Sequence, residues 1–295
     1  MNRLPMVDIV IPTYNGLHLL KKFLPAALKC TPNLNQLIII DDGGQDETKE
    51  YVKSLRSVVY LKSPKNMGFS HSMNLGLSVS TAKYIVFLNN DVLVKKDYLL
   101  EPLELLENDA SLFAVNFCEQ NSSWPLVSWS AGKLQYTNSK DKDKTYYCAW
   151  PSGGSSLVRR EHFNKLGGFN EVYSPAYWED IDLGWRAWKS GWTIVWNPNS
   201  KVEHQHESSF GLLDKNFLST LKQTNELVFN WLAFKELPYR LSHLFHLVTY
   251  TLTHPGYLRI IYLSLKKVSK NKVSFPNKVT TKYIFSRLNK PYEKY

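Results

Sequence analysis

The sequence VDIVIPTYNG, residues 7–16, opens with a β-rich apolar run that stops at a proline and a polar turn. The same arrangement returns at residues 37–44, LIIIDDGG, and at residues 84–91, YIVFLNND. Segments with helical periodicity lie between these runs, and Asp46 is placed to cap one of them. Apolar strands that alternate with helices predict an α/β fold with a mostly parallel central sheet flanked by helices.

The polar residues that end these runs fall in one predicted place. Strands of a parallel sheet finish at the same edge, and α/β proteins bind ligands beyond that edge. The clusters at residues 12–15, 41–44 and 89–91 therefore predict a binding site that the three strand ends share.

The second half of the chain is less regular. Residues 119–150 are rich in Trp, Ser, Lys and Asp, and they predict a loop or hairpin excursion. A helix is predicted over residues 178–190, with Gly191 just beyond its C-terminus. Two short strands are predicted at residues 192–196 and 201–204.

The net charge of +10 is concentrated near the C-terminus. Residues 211–295 contain 14 Lys and Arg against 4 Asp and Glu, which accounts for the whole net charge. This asymmetry predicts a first domain over residues 1–211 and a basic helical extension over residues 212–295, whose partner is an anionic surface. Two interpretations of the extension stay open: interfacial helices on anionic lipid, or helices that pack on the first domain.

Bulk properties exclude several classes of protein. The length of 295 residues allows one sizeable domain with an appendage, and the three cysteines match no metal-binding spacing. The sequence has no apolar run of about 18 residues, and its N-terminal apolar run is too short for a signal peptide. We expect a cytoplasmic protein, peripheral to the inner face of the membrane if the extension binds lipid. The neutral first domain and the lack of a recognised motif predict no nucleic-acid partner.

Eight segments, taken in order, resemble the family 2 glycosyltransferases of the GT-A fold. They are IPTYNG (11–16), IIIDDGGQD (38–46), NMGFSHSMNLG (66–76), FLNNDV (87–92), GGSSLVRRE (153–161), LGGFNE (166–171), YWEDIDLGWR (177–186) and VEH (202–204). Within that family the chain looks most like bacterial transferases that build surface polysaccharides, including rhamnosyltransferases. The resemblance implies transfer of a sugar from a UDP- or dTDP-linked donor to a glycan or lipid-linked glycan acceptor.

The acidic segment WEDID, residues 178–182, carries the predicted chemistry. An acceptor hydroxyl is a poor nucleophile, and a positioned carboxylate can remove its proton as it attacks. The resemblance implies that Asp180 is this general base, in a displacement that inverts the anomeric carbon. Crowding by Glu179 and Asp182 would raise its pKa. The alternative is a helix start enriched in acids, and Asp182 is expected to belong to it by pairing with Arg186.

A metal site is implied at the triplet Asn89-Asn90-Asp91, where family members usually have Asp-x-Asp. The resemblance implies that Asp91 binds a divalent metal, Mn²⁺ or Mg²⁺, which neutralises the departing pyrophosphate. His204 is the expected second ligand, and His206 is the weaker candidate. The alternative is a plain turn, which Asn and Asp also favour.

The resemblance also implies which residues hold the substrates. Asp41 matches the nucleobase contact, while Thr13 and Tyr14 match contacts to base and ribose. The expected nucleotide-sugar residues are Pro12, Thr13, Tyr14, Asn15, Asp41, Asp42, Asn66, Gly68, Asn74, Asn89, Asn90, Gly153 and Gly154. The expected acceptor residues are Trp150, Trp178 and Glu179. Turn formation and core packing are the alternative explanations for these residue types.

Two other functions compete with transfer. A catalytically silent nucleotide-sugar-binding protein is conceivable because Asn89 replaces a usual carboxylate. A sugar-phosphate nucleotidyltransferase would need a glycine-rich loop with a basic residue near the N-terminus, and IPTYNG lacks both features.

Overall fold

The computed structural model describes residues 4–55, 58–120, 124–140, 143–205 and 214–293. Its strands are β1 (Val7–Thr13), β2 (Leu34–Asp41), β3 (Val58–Lys62), β4 (Tyr84–Leu88), β5 (Val92–Val94), β6 (Leu112–Glu119), β7 (Pro125–Ser130), β8 (Lys133–Asn138), β9 (Tyr146–Tyr147), β10 (Ser155–Arg159) and β11 (Thr193–His204). Its α-helices are α1 (Leu17–Cys30), α2 (Thr48–Lys53), α3 (Phe69–Ser78), α4 (Leu100–Asn108), α5 (Arg160–Lys165), α6 (Glu179–Lys189), α7 (Lys215–Ala233), α8 (Leu237–Thr253), α9 (Tyr257–Val268) and α10 (Thr281–Arg287).

One large sheet organises the molecule. Its strand order is β3-β2-β1-β4-β10-β6-β11-β5, and β9 pairs with β11 beside this path. Strands β1 to β4, β6 and β11 run in one direction, while β5, β9 and β10 run in the other. The predicted α/β class with a mostly parallel sheet is confirmed, and the antiparallel strands are additions that the alternating pattern did not indicate.

The centre of the sheet is fully enclosed by helices. All five residues of β4 are buried, which explains its continuous apolar sequence. Helix α1 turns a stripe of apolar residues inward, including Leu20, Leu24 and Ala27 at helical spacing. Helix α3 packs on β1 and β2 and buries Met73 and Leu77. These layers fix the strand ends, where the polar clusters lie.

Several predicted elements differ in detail from the structure. The two short strands predicted after residue 191 are one strand, β11, whose register shifts between Trp196 and Lys201. Helix α2 begins at Thr48 with Glu47 at the cap position, and the Asp46 carboxylate accepts the Thr48 N–H at 3.2 Å and the Leu17 N–H at 2.9 Å. Asp46 therefore stabilises the starts of two helices.

The predicted excursion contains a hairpin. Strands β7 and β8 pair from Pro125 to Asn138 and form a separate two-stranded sheet. Helix α4 and strands β5 and β6 were not predicted from the sequence.

The C-terminal helices pack on the rest of the molecule. Helix α7 contacts α6 and α9, and Phe229 and Phe234 are buried there. After α10 the chain returns to the main sheet, where the Tyr147 N–H donates to the Lys290 carbonyl at 3.0 Å. The predicted boundary between residues 211 and 212 lies outside the described residues. Among the described helices, none is both long and apolar enough to cross a membrane.

Candidate active site

A cavity of about 440 Å³ opens at the predicted edge of the sheet. Most of the predicted site residues line it: Pro12, Thr13, Tyr14, Asp42, Asn66, Gly68, Asn89, Asn90, Asp91, Gly153, Gly154, Glu179, Asp180 and His204. Sequence reasoning did not assign five further lining residues to the site, namely Phe69, Ser72, Ser152, Ala176 and Tyr177. Each of the five adjoins a predicted residue or segment, so proximity in sequence was the available signal. His206 lies outside the described residues.

Asp41 and Asn15 do not line the cavity but shape the turn beside it. The Asp41 carboxylate accepts hydrogen bonds from the Gly44 N–H at 2.6 Å and the Tyr60 hydroxyl at 2.6 Å. Asn15 has a positive φ of 51°, and its Oδ1 accepts the Gln45 N–H at 2.7 Å. Both side chains thus hold the loop after β2 against the loop after β1.

Asn74 also lies away from the cavity. Its side-chain amide bonds both backbone groups of Phe169, accepting the N–H at 2.8 Å and donating to the carbonyl at 2.9 Å. This pair of bonds fixes the Gly-Gly-Phe turn against α3.

The two predicted tryptophans are packed among other rings instead of lining the cavity. The Trp178 side chain is only 7% exposed, and its ring centre lies 5.2 Å from that of Phe229. Trp150 meets Tyr136 edge-on at 5.2 Å. Tyr136 itself is half exposed, so this aromatic group borders solvent next to the acidic segment.

The metal candidates come together through strand register. Strand β11 runs antiparallel to β5, with His204 opposite Val92, the residue after Asp91. This pairing brings His204 Nε2 within 3.0 Å of Asp91 Oδ1. A carboxylate and an imidazole that are far apart in sequence therefore share one wall of the cavity.

Glu119 is a partly buried neighbour that sequence reasoning missed. It ends β6, accepts the Ser155 hydroxyl at 2.7 Å and lies 3.3 Å from His204 Nδ1. Burial alone would lower the pKa of His204, but its hydrogen bonds to Asp91 and Glu119 raise that pKa to about 9. The imidazolium is thus held between two carboxylates, and a divalent cation would compete with its proton for Asp91.

Asp180 lies in the first turn of α6. Burial raises its pKa to about 6, although the Ile181 N–H donates to its Oδ1 at 2.8 Å and favours the charged form. Burial and the neighbouring charge of Asp180 raise the pKa of Glu179 well above its usual range. A protonated Glu179 can donate a hydrogen bond, while Asp180 is mostly ionised at neutral pH.

The segment before α6 has an uncommon backbone. Tyr177 and Trp178 have positive φ values of 72° and 80°, which bulky residues rarely adopt. Asn225 of α7 holds this segment, because its side-chain NH₂ lies within 2.9 Å of the carbonyls of Tyr173, Ala176 and Tyr177. The C-terminal helices therefore contribute directly to the wall that carries Asp180.

Asp182 has the structural role that was expected. Its carboxylate bonds Arg186 Nε at 2.6 Å, and both side chains are fully buried. The Tyr173 hydroxyl donates to the same carboxylate at 3.0 Å. The predicted pair is confirmed.

One wall of the cavity is organised by Asp42 and Gly68. The Asp42 carboxylate accepts the N–H groups of Met67 and Gly68 at 2.9 and 2.8 Å. Gly68 has a φ of 93°, and a Cβ there would lie 2.6 Å from the Pro175 carbonyl oxygen. Glycine is thus required where the loop after β3 touches the segment that leads to Asp180.

The fold is that of the GT-A glycosyltransferases. A crystal structure of GalNAc-T7 with UDP, GalNAc and Mn²⁺ matches with a TM-score of 0.66 and 16% identity, covering 81% of this chain and 50% of that chain. The mannosyltransferase PcManGT from Pyrobaculum calidifontis, in complex with GDP-Man and Mn²⁺, matches with a TM-score of 0.59 and 17% identity, covering 91% and 76% of the two chains. This chain thus spans half the length of the GalNAc-T7 chain.

The chain belongs to the glycosyl transferase family 2, whose model matches residues 8–167, more than half of its length. The O-antigen chain rhamnosyltransferase WbaN of Salmonella anatum is 27% identical over 213 residues, covering 69% of this chain and 67% of that protein. N-acetylglucosaminyl-diphospho-decaprenol L-rhamnosyltransferase of Mycobacterium tuberculosis is 38% identical over 88 residues, covering 30% of this chain and 27% of that protein. The expected resemblance to bacterial rhamnosyltransferases is confirmed.

Proposed function

We propose that this glycosyltransferase moves a sugar from a UDP- or dTDP-linked donor to a glycan hydroxyl, with inversion, in bacterial cell-surface polysaccharide synthesis. One observation carries the proposal: a carboxylate poised to titrate near neutrality, Asp180, shares a cavity with the Asp91–His204 pair. The similarity to named rhamnosyltransferases supports the polysaccharide role.

Two side chains of the cavity fit a divalent metal as ligands. Asp91 supplies a carboxylate oxygen and His204 an imidazole nitrogen. No group of three or more His, Cys, Asp or Glu side chains suited to a metal occurs within the described residues. A bound Mn²⁺ or Mg²⁺ would therefore depend on donor phosphate oxygens and water for its remaining ligands, and it would stabilise the leaving diphosphate.

Asp180 serves as the general base. Its carboxylate takes the proton of the acceptor hydroxyl while the hydroxyl oxygen bonds to the anomeric carbon and the bond to the diphosphate breaks. One carboxylate in this role needs no covalent intermediate, so the anomeric configuration inverts. Burial beside Asp180 favours the protonated form of Glu179, which would orient the acceptor through a hydrogen bond.

The acceptor is a glycan or a lipid-linked glycan. The half-exposed Tyr136, beside Trp150, offers an aromatic surface at the edge of the acidic segment, and such surfaces suit sugar rings. Lipid linkage agrees with the basic C-terminal helices, which make the enzyme a candidate for peripheral binding to an anionic membrane.

Asp180→Asn tests the proposal. We expect the variant to bind the donor normally and to lose transfer by about 10²–10⁴-fold, because only the proton acceptor is removed. Donor binding is measured by thermal stabilisation with Mn²⁺, and transfer by release of the nucleoside diphosphate in the presence of acceptor.

The control is Glu161→Gln, which removes an exposed carboxylate on α5 and should leave both readouts unchanged. Normal transfer by Asp180→Asn would eliminate Asp180 as the base. Donor binding without transfer by the unmodified chain, across a panel of acceptors, would favour the silent binding protein instead.

A further inference from the structure

The C-terminal helix pair leaves large apolar side chains in solvent. On α8, Leu241, Phe245, Val248 and Leu252 recur at helical spacing and are 53–80% exposed. Soluble surfaces rarely expose contiguous apolar patches of this kind unless something binds them. The opposite side of α8 faces the protein, where His243 is buried.

Helix α9 repeats the arrangement. Leu258, Tyr262 and Leu265 lie one turn apart and are 55–59% exposed. The opposite stripe is buried through Ile260 and Ser264, and the Ser264 hydroxyl donates to the Thr224 carbonyl of α7 at 3.2 Å. We call the exposed stripes of α8 and α9, which are neighbouring helices, the docking face.

The charge around the docking face has one sign. Residues 237–292 contain 10 Lys and Arg and no Asp or Glu. Arg240, Arg259, Lys266 and Lys270 of this segment are exposed. A partner of this surface must therefore be both apolar and anionic.

We propose that the docking face lies in the interface of an anionic lipid bilayer, with its apolar stripes among the acyl chains and its cations at the headgroups. A second copy of the chain fits less well. Isologous pairing would bring two segments of the same positive charge together, with no carboxylate within residues 237–292 to compensate.

The docking face is connected to the catalytic cavity. Helix α8 supports the β7–β8 hairpin, since His243 Nδ1 donates to the Gly132 carbonyl at 2.7 Å, and that hairpin carries Tyr136. Helix α9 supports the segment before Asp180, since Lys267 Nζ donates to the Ser174 carbonyl at 2.9 Å. Bilayer docking would thus place this side of the cavity near lipid. If the acceptor binds on this side, which rests on the proposed function, the arrangement favours an acceptor carried by a membrane lipid.

Vesicle co-sedimentation of the full chain tests the docking face without donor or acceptor. We expect binding to vesicles of phosphatidylcholine with phosphatidylglycerol, weak binding to phosphatidylcholine alone, and loss of binding at high salt. The double variant Phe245→Ser with Leu252→Ser should bind at least about tenfold more weakly, because it removes two inserted side chains.

The matched control is Leu100→Ser with Tyr283→Ser, which removes two comparably exposed side chains, 46% and 50%, from α4 and α10. It should bind like the unmodified chain. A second variant, Arg259→Gln with Lys270→Gln, should weaken binding only to the anionic vesicles. Circular dichroism melts check that every variant is folded.

Three results would overturn the proposal: no sedimentation of the unmodified chain, equal sedimentation of the Phe245 and Leu252 double variant, or a dimer in solution that this variant dissociates. Transfer to a water-soluble acceptor is measured separately. An enzyme that transfers sugar but ignores vesicles would refute the docking face alone, and one that binds vesicles but transfers nothing would refute the proposed function alone.

Discussion

Two carboxylates in the first turn of α6 differ because of their partners. Asp182 is fully buried against Arg186, which makes it part of the core. Asp180, two residues earlier, faces the cavity, and burial raises its pKa to about 6. A paired carboxylate is a poor proton acceptor, whereas one with a pKa near neutrality is a useful base. The order of acidic residues in the sequence distinguishes the roles of Asp180 and Asp182 less firmly than their contacts do.

The pH dependence of transfer follows from Asp180. In the proposed mechanism its ionised form accepts the proton, so the rate should rise with pH through about 6 and then level off. An ordinary aspartate, with a pKa of about 3.9, would give no rise in this range. The measurement is the initial rate between about pH 5 and 8 at saturating donor, acceptor and Mn²⁺.

Donor binding over the same pH range is the control, because protonation of His204 also weakens metal binding at low pH. A rate that is flat from about pH 5 to 8 while donor binding is constant would contradict a base with this pKa.

Residue types at strand ends were predictable, and their supporting contacts were not. Asp91 follows an apolar run, so its place at the sheet edge could be inferred from sequence, whereas His204 follows Lys-Val-Glu and was expected only from the family resemblance. Glu119 touches His204 only because β6 lies between β10 and β11 in the sheet. That placement is a long-range consequence of topology, which no local pattern encodes.

At the scale of elements, the strained segment before α6 depends on α7. The positive φ angles of Tyr177 and Trp178 carry a local cost. The two N–H donors of Asn225, which are shared among three carbonyls of this segment, help to offset it. Lys267 of α9 donates to Asn225 Oδ1 at 2.8 Å and so fixes the amide's orientation. Elements that lie outside the residues of the family model therefore hold the segment that leads to Asp180 in place.

Asn225→Leu should lower transfer more than donor binding. The substitution keeps a similar volume but removes the donors to three carbonyls, so the segment that leads to Asp180 should loosen. Leaving buried carbonyls unsatisfied should also cost about 1–3 kcal/mol in the free energy of unfolding. Transfer rates, donor-induced thermal stabilisation and urea unfolding measure the three effects.

Gln223→Leu on the same helix is the matched control, since the Gln223 side chain bonds Ser219 within α7 and not the segment before α6. Unchanged transfer by Asn225→Leu would show that the segment keeps its geometry without these bonds. If donor binding falls as much as transfer does, the substitution disturbs the whole cavity and not only the segment that leads to Asp180.

The first strands were predictable because each is short, apolar and ends in polar residues. Strand β11 was predicted as two pieces because residues 197–200, NPNS, interrupt its apolar pattern. In the structure Asn197 Oδ1 accepts the N–H groups of Asn199 and Ser200, each at 3.0 Å, and forms a local turn within the strand. Pairing with β6 continues beyond the turn, so tertiary contacts override the local signal.

At the scale of the whole molecule, the neutral and basic parts of the chain do not have separate hydrophobic cores. The basic extension carries the net charge, yet its aromatic residues are continuous with the catalytic core. Phe229 of α7 contacts Trp178 and Trp185 of the α6 region, with ring centres 5.2 and 6.2 Å apart. Packing of the extension on the first domain is therefore present, and it leaves the outer stripes of α8 and α9 available for lipid. The two interpretations of the extension are thus compatible.

Phe229→Ala should destabilise the whole chain in one step. The side chain is fully buried, and removal of a buried phenylalanine costs about 3–5 kcal/mol. Because its contacts join α7 to α6, we expect a single urea transition that shifts to lower urea concentration. Tryptophan fluorescence and circular dichroism should report the same shift.

Phe217→Ala on the same helix is the control, because Phe217 is 48% exposed and its loss should change the free energy of unfolding by less than about 0.5 kcal/mol. The alternative outcome is two urea transitions, with Phe229→Ala shifting only the transition of the C-terminal helices. That result would mean that the extension folds independently. A single transition that moves as a whole would mean that the strained segment before Asp180 forms only when the C-terminal helices are folded, since Asn225 and Phe229 belong to the same helix.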